Sequence, residues 1–379
     1  MDRFALLCLF FLILLASSTW AQEPAKEPEE PDPPYSMPTE DIFTPDELNT
    51  KFEYRKAKPF GDESLALVLP CRSAWKWVDL KHPVKADTEH LVPLARVEPY
   101  DDRDVSIEMK YVVLPREVKL EDWIDFFVDT QSMHVLHAQR GTYHERRVLD
   151  ILAEFKVQDG RTYVARAGFF KAGNRIWMIA GSAPEDKYEQ YAGDFGLAVT
   201  AATPVLLSTD EFAETMKEYR FPVGRKFSFT YPASWTLVEI ADLPPGIGAV
   251  DICWEGTSKP VGLIKVRTYL KERVDGIDVQ KVSWSVFEEI KGLDKDFEIL
   301  EKIQELESDT PLFPGPGKMC VYRISLQGTP LELHELVLDS PDALFAIYLI
   351  TPSREQAPRL WMINHRAWEI VGMQIRGAS

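Results

Sequence analysis

Four sets of residues in this 379-residue chain have the types and spacing that chemistry could use. Ser73 and Lys76 form a Ser-x-x-Lys pair, the spacing that sets an amine beside a nucleophilic hydroxyl on the first turn of a helix. Neither a Ser-Asp-Asn nor a Lys-Thr-Gly companion occurs in the sequence, and the pair falls where a turn between strands is expected, so it reads as a surface turn. His134, His137 and His144, with Glu145, are near enough in sequence to share a metal, and an i, i+3 histidine pair can share a helix face. The segment after Met133 is polar and leaves the preceding helical pattern, which favours a solvated set over a metal site.

Asp101, Asp102 and Asp104 offer carboxylates to calcium, but no glycine or distal glutamate follows at loop spacing, and an acidic turn suffices. His334-Glu335 begins a metalloprotease-like box that fails because Leu338 stands where the second histidine should be; alternation makes these strand residues. The tryptophans could line a ligand groove, yet Trp123, Trp235 and Trp368 sit on apolar stripes and read as core. No catalytic, cofactor-binding or metal-ligating residue is assigned, and no cofactor is expected.

The elements that would hold such residues begin with a leader and a tail. Arg3, the apolar run Phe4 to Ala16, and the small residues Thr19 and Ala21 predict a secretory signal over 1–21 cut before Gln22, the rival being an uncleaved anchor. Residues 22–47 hold nine acids against Lys26 alone, together with seven prolines, so 22–58 is read as an acidic, disordered linker. The formal charge of -17 argues against nucleic acid and anionic membrane surfaces as partners. Of the cysteines beyond the leader, Cys71, Cys253 and Cys320, the last two are the pair if any bridge exists.

Two halves of like order follow. In FSFTYPASWTLV (227–238), Phe227, Phe229 and Tyr231 alternate with polar residues as in a half-buried strand; Pro232 stops the ladder and Trp235 packs over the corner. LALVLPCRSAWKWV (65–78) is a weaker echo, with Pro70 and Trp75 in the corresponding places. After each corner come strands, an amphipathic helix (Leu120, Trp123, Ile124, Phe127; then Val279, Val282, Val286, Ile290), three more strands, and a helix opened by Ser182 and Glu185 or by Ser353 and Gln356. The distances Pro70 to Ser182 and Pro232 to Ser353 are 112 and 121 residues. The fold class is α+β: two tandem antiparallel-sheet sandwiches, 59–207 and 221–379, with helices on the sheet faces, joined by a short helix over 208–220 that Ser208 and Glu211 would cap.

A strand ending in Tyr-Pro-x-x-Trp before a meander broken by one helix resembles the PsbP-like and DcrB-like α-β-α sandwich, better in the second half than in the first, where two residues are inserted between proline and tryptophan. The resemblance implies small extracytoplasmic domains that bind or assist other proteins without shared catalytic residues. The expected function is a secreted or periplasmic, non-catalytic binding or accessory protein with a protein partner that both halves can engage. The alternatives are an extracytoplasmic hydrolase or metal-dependent enzyme, and a chaperone for apolar protein segments.

Overall fold

In the computed structural model Phe227, Phe229 and Tyr231 are buried and the intervening Ser228 and Thr230 are half-exposed, as a period of two requires of a strand with one apolar face. The indole of Trp235 lies in the same core. The structure describes residues 33–78, 80, 91–223, 227–255, 260–307 and 316–377; the leader predicted over 1–21 lies outside these. Tyr35–Ser379 make one compact unit.

The first module contains helix α1 (Pro45–Lys51), β1 (Phe52–Ala57), β2 (Leu67–Arg72), β3 (Trp75–Trp77), β4 (Val92–Pro99), β5 (Ser106–Val113), α2 (Leu120–Thr130), β6 (His134–Tyr143), β7 (Arg146–Lys156), β8 (Thr162–Ala172), β9 (Arg175–Pro184), α3 (Tyr188–Ala201) and β10 (Thr203–Pro204). The second contains β11 (Met216–Arg220), β12 (Phe227–Pro232), β13 (Thr236–Glu239), β14 (Ile247–Glu255), β15 (Pro260–Leu270), α4 (Val279–Leu293), β16 (Glu298–Glu307), β17 (Gly317–Leu326), β18 (Thr329–Asp339), β19 (Ala343–Thr351), α5 (Pro358–Gln374) and β20 (Arg376–Gly377). Each module has a seven-stranded antiparallel sheet, in the orders β3-β4-β5-β9-β8-β7-β6 and β13-β14-β15-β19-β18-β17-β16. Each also has a three-stranded one, β1-β2-β10 and β11-β12-β20. Add ten to every strand number of the first module and the second results. The fold is a tandem repeat, and both copies are α+β.

The repeat starts earlier than its sequence signature. β1 and β11 precede the predicted starts at 59 and 221, and both are short, polar strands that pair with the aromatic-bearing or apolar strand after them. Residues 208–220 contain no helix: the Ser208 hydroxyl bonds the Asp210 carboxylate, and 216–220 is β11, because the ladder to β12 satisfies those amides better than a single helical turn would. Ser182 does not cap a helix either. It is paired on both sides, to Ser106 of β5 and Ala165 of β8, and α3 opens only after a short 3-10 turn at Glu185–Lys187. The Ser353 hydroxyl does accept the Gln356 amide at 3.3 Å, one turn ahead of α5.

The described part of the supposed linker is structured. Residues 35–44 run as a strap over α3. The Tyr35 ring meets Tyr188 edge-on and its hydroxyl donates to Glu185; the Ser36 amide and hydroxyl donate to Glu189. The Pro38 carbonyl accepts from Arg166 at 2.6 Å, a fit that needs Gly196, where a Cβ would stand 2.5 Å from that same oxygen. Thr44 and Glu47 then form a capping box for α1. Composition pointed to disorder because it counts acids and prolines, whereas a few side chains aimed at fixed partners decide this segment. Removing residues 35–44 is expected to lower Tm by about 2–4 °C, for a loss of about 2 kcal/mol of hydrogen bonding and aromatic packing; calorimetry of the truncated and full chains checks this, and an unchanged Tm would deny the strap any stabilising role.

Cys253 is on β14 and Cys320 on β17, and β15, β19 and β18 lie between them. Four steps of about 4.8 Å put them roughly 19 Å apart, beyond the ~7 Å Cα reach of a disulfide. Non-reducing peptide mapping is expected to find no Cys253–Cys320 crosslink.

Candidate functional site

Among the described residues a large gathering of titratable side chains lies at the seam between the modules, and α5 builds it. One side of α5 presents Ala367, Trp368 and Val371 to the core of its own module. Its N-terminal half presents Trp361, Met362 and Ile363 to the first module, where they join Trp123, Ile124 and Val128 of α2 and the sheet residues Phe169, Ile176 and Met178 in one apolar cluster. The sequence places Ala357, Leu360, Ala367, Trp368 and Val371 on one side of this helix; the last three are in its own module's core, Ala357 and Leu360 are only half-buried, and the stripe of Trp361, Met362 and Ile363 was not legible, since it is buried only by another module.

Around this core runs a chain of charges. Glu117, buried just before α2, accepts from Lys171 at 2.5 Å, from Arg366 of α5 at 3.3 Å and from the Ala213 amide at 2.6 Å. Glu214, between the modules, accepts the Glu117 amide on one oxygen and the Ser234 amide on the other. Lys119 and Arg366 both reach Glu369, and Arg354 pairs with Asp125 while its guanidinium lies over Trp361.

Inside this ring is a buried histidine group. Glu332 and His334 of β18 are paired at 3.0 Å; the Trp361 indole donates to Glu332 at 2.7 Å and the Arg354 amide donates at 3.2 Å. These contacts outweigh the desolvation of Glu332 and hold its carboxyl below the usual range. His365 stacks on Trp361 with ring centroids 4.5 Å apart, and its Nδ1 lies 3.9 Å from Asp122 of α2 and 4.0 Å from Glu369. Burial, then the neighbouring His334, Lys119, Arg354 and Arg366, push His365 well below its ordinary value and keep it neutral. Burial also raises the Asp122 carboxyl to about 6, with Lys119 and Arg354 lowering it and Glu369 and Asp125 raising it further.

These two shifts act on stability with opposite signs. Asp122, raised from 3.8 to about 6, contributes stability that is complete below pH ~4 and gone above pH ~6. His365, depressed, contributes stability that is complete above the unfolded value near 6.5 and is lost on acidification. In the wild type the two partly cancel across pH 4–6. Asp122→Asn is expected to leave a protein whose stability falls as pH drops from about 7 to 4, and His365→Asn one whose stability falls as pH rises from about 4 to 6. Urea denaturation at several pH values reads both slopes; parallel profiles for the two variants would refute the coupling.

Glu332 beside His334 is the pairing a general base would use, yet access is poor. A cleft of about 250 Å³ between the modules is walled by Asp122, Phe126, Arg354, Trp361 and Met362, and neither Glu332 nor His334 is among its walls. Asp122, His365 and Glu369 lie near one another, but Lys119 and Arg366 already pair with Glu369. Among the described residues no group of three His, Cys, Asp or Glu has metal-holding geometry.

The residues singled out by sequence are dispersed. Ser73 is in the turn between β2 and β3, and Lys76 pairs with Glu98. His134 and His137 are on β6, His144 is in the turn after it, and all three leave the α2 helix as their polar surroundings suggest. Asp102 is held by Lys187 and Asp104 by Arg161, an acidic turn closed by cations. His334 and Glu335 are strand residues on opposite faces, Glu335 meeting Tyr322 and Tyr348. Trp123, Trp235 and Trp368 are core. What sequence reasoning missed is that His334 meets His365, 31 residues on, and that His365 in turn meets Asp122 from the other module; no local pattern carries that signal.

No family model matches the chain, and no curated protein matches it. Solved structures give similarities at low identity. Cyanobacterial PsbP (CyanoP) from Synechocystis sp. PCC 6803 is 11% identical over 41% of this chain and 92% of its own, with a TM-score of 0.30. LpqN, involved in cell envelope biogenesis of Mycobacterium tuberculosis, is 12% identical over 41% and 92%, with a TM-score of 0.28. The immunity protein TplEi of the T6SS from Pseudomonas aeruginosa is 12% identical over 78% and 100%, with a TM-score of 0.22. At these scores the similarities carry no argument about function, and the fold stands on its strand order. No helix among the described residues is long and apolar enough to cross a membrane.

Proposed function

We propose that this chain is an extracytoplasmic, non-catalytic binding or accessory protein that works through protein–protein contacts, its two modules acting as one rigid scaffold. The observation that supports this best is the seam: the acids, bases and histidines that chemistry would need are spent on joining α5 to the first module, behind Trp361. The leader expected over 1–21 supports the compartment, and the charge of -17 favours neutral or cationic partners over nucleic acid. Modules fixed at one separation let a partner that touches both gain effective concentration without a new contact.

Cutting the chain between modules would bare Trp361, Met362 and Ile363, so the test uses the intact chain. Immobilised full-length protein is expected to retain a discrete partner from native extracytoplasmic material at fixed stoichiometry, and His334→Ala is expected to leave that affinity within about twofold, since His334 is buried away from any docking face. A turnover in the purified protein that His334→Ala or Asp122→Asn abolishes would replace this reading with an enzymatic one.

A further inference from the structure

We draw no further inference here: the strongest candidate, the cleft of about 250 Å³ between the modules with Asp122, Asp129 and Glu355 in its walls, carries nothing beyond the seam already described, because its carboxylates are an acidic cluster with no second feature that points to a ligand.

Discussion

Replacing Asp150 by alanine is expected to destabilise the protein by about 3–5 kcal/mol. Asp150 of β7 and Arg166 of β8 are both wholly buried, joined by two hydrogen bonds of 3.2 and 2.7 Å. Gln139 and Tyr143 donate to the same carboxylate, and the strap closes the far side through the Pro38 carbonyl. Removing the carboxylate leaves a guanidinium with one backbone acceptor in a closed interior, and desolvation is no longer offset. Arg166→Met together with Asp150→Leu removes both charges and should cost far less than Asp150→Ala alone, because a buried pair and apolar residues of like volume are close in free energy. Urea denaturation of both variants makes the comparison. Equal losses would mean that shape, not charge, is what the pair contributes.

That pair also marks where sequence reasoning stops. The order of strands and helices was legible because strands such as β12 alternate at a period of two, the central β19 is a short continuous apolar run, and the helices carry apolar stripes; Val282, Val286 and Ile290 are buried as their spacing demands. Glycine and proline placed the corners. The repeat was legible as a repeated order, and the matching strand orders of the two sheets make it plain. What escaped was every feature whose reason is distant. The strap is held by Arg166, 128 residues away, and Glu117 by Lys171, Ala213 and Arg366. Capping boxes misled at Ser182 because a sheet ladder takes that residue on both sides, and at Ser208 because its hydroxyl accepts the Asp210 amide and donates to the Asp210 carboxylate in a local turn.

The candidate site was illegible for the same reason. Each of its members has an ordinary local explanation: Asp122 is an acid in the first turn of a helix, His334 a residue in a strand, His365 a polar position on α5. Docking of one module on the other brings Asp122 to 3.9 Å from His365, whose ring already lies 5.2 Å from that of His334 in its own module. A duplicated fold makes this general, since the first copy of the C-terminal helix, α3, is covered by the strap, and the second, α5, is covered by the first module. The same element solves the same exposure with whatever the chain offers next to it.

Trp361→Ala is therefore expected to separate the unfolding of the two modules. The indole contributes area to the first module's cluster, stacks on His365, lies under Arg354 and donates to Glu332, so its loss should cost about 3–5 kcal/mol. It also leaves a buried carboxylate short of one donor. A core shared across the seam makes the wild type unfold as one cooperative unit, with calorimetric and van't Hoff enthalpies equal. In the variant the cost falls on the joint more than on either sheet, because Trp368, Val371 and the strand ladders of β18 and β19 are untouched. Calorimetry should then show two transitions, the lower one losing the Arg366–Glu117 and Arg354–Asp125 pairs. Trp284→Ala serves as control: that side chain is 66% exposed and its loss should shift nothing by more than about 0.5 kcal/mol. A single transition in Trp361→Ala, lowered but still cooperative, would place the coupling between modules in the ionic ring of Glu117, Glu214 and Glu369 and not in the indole.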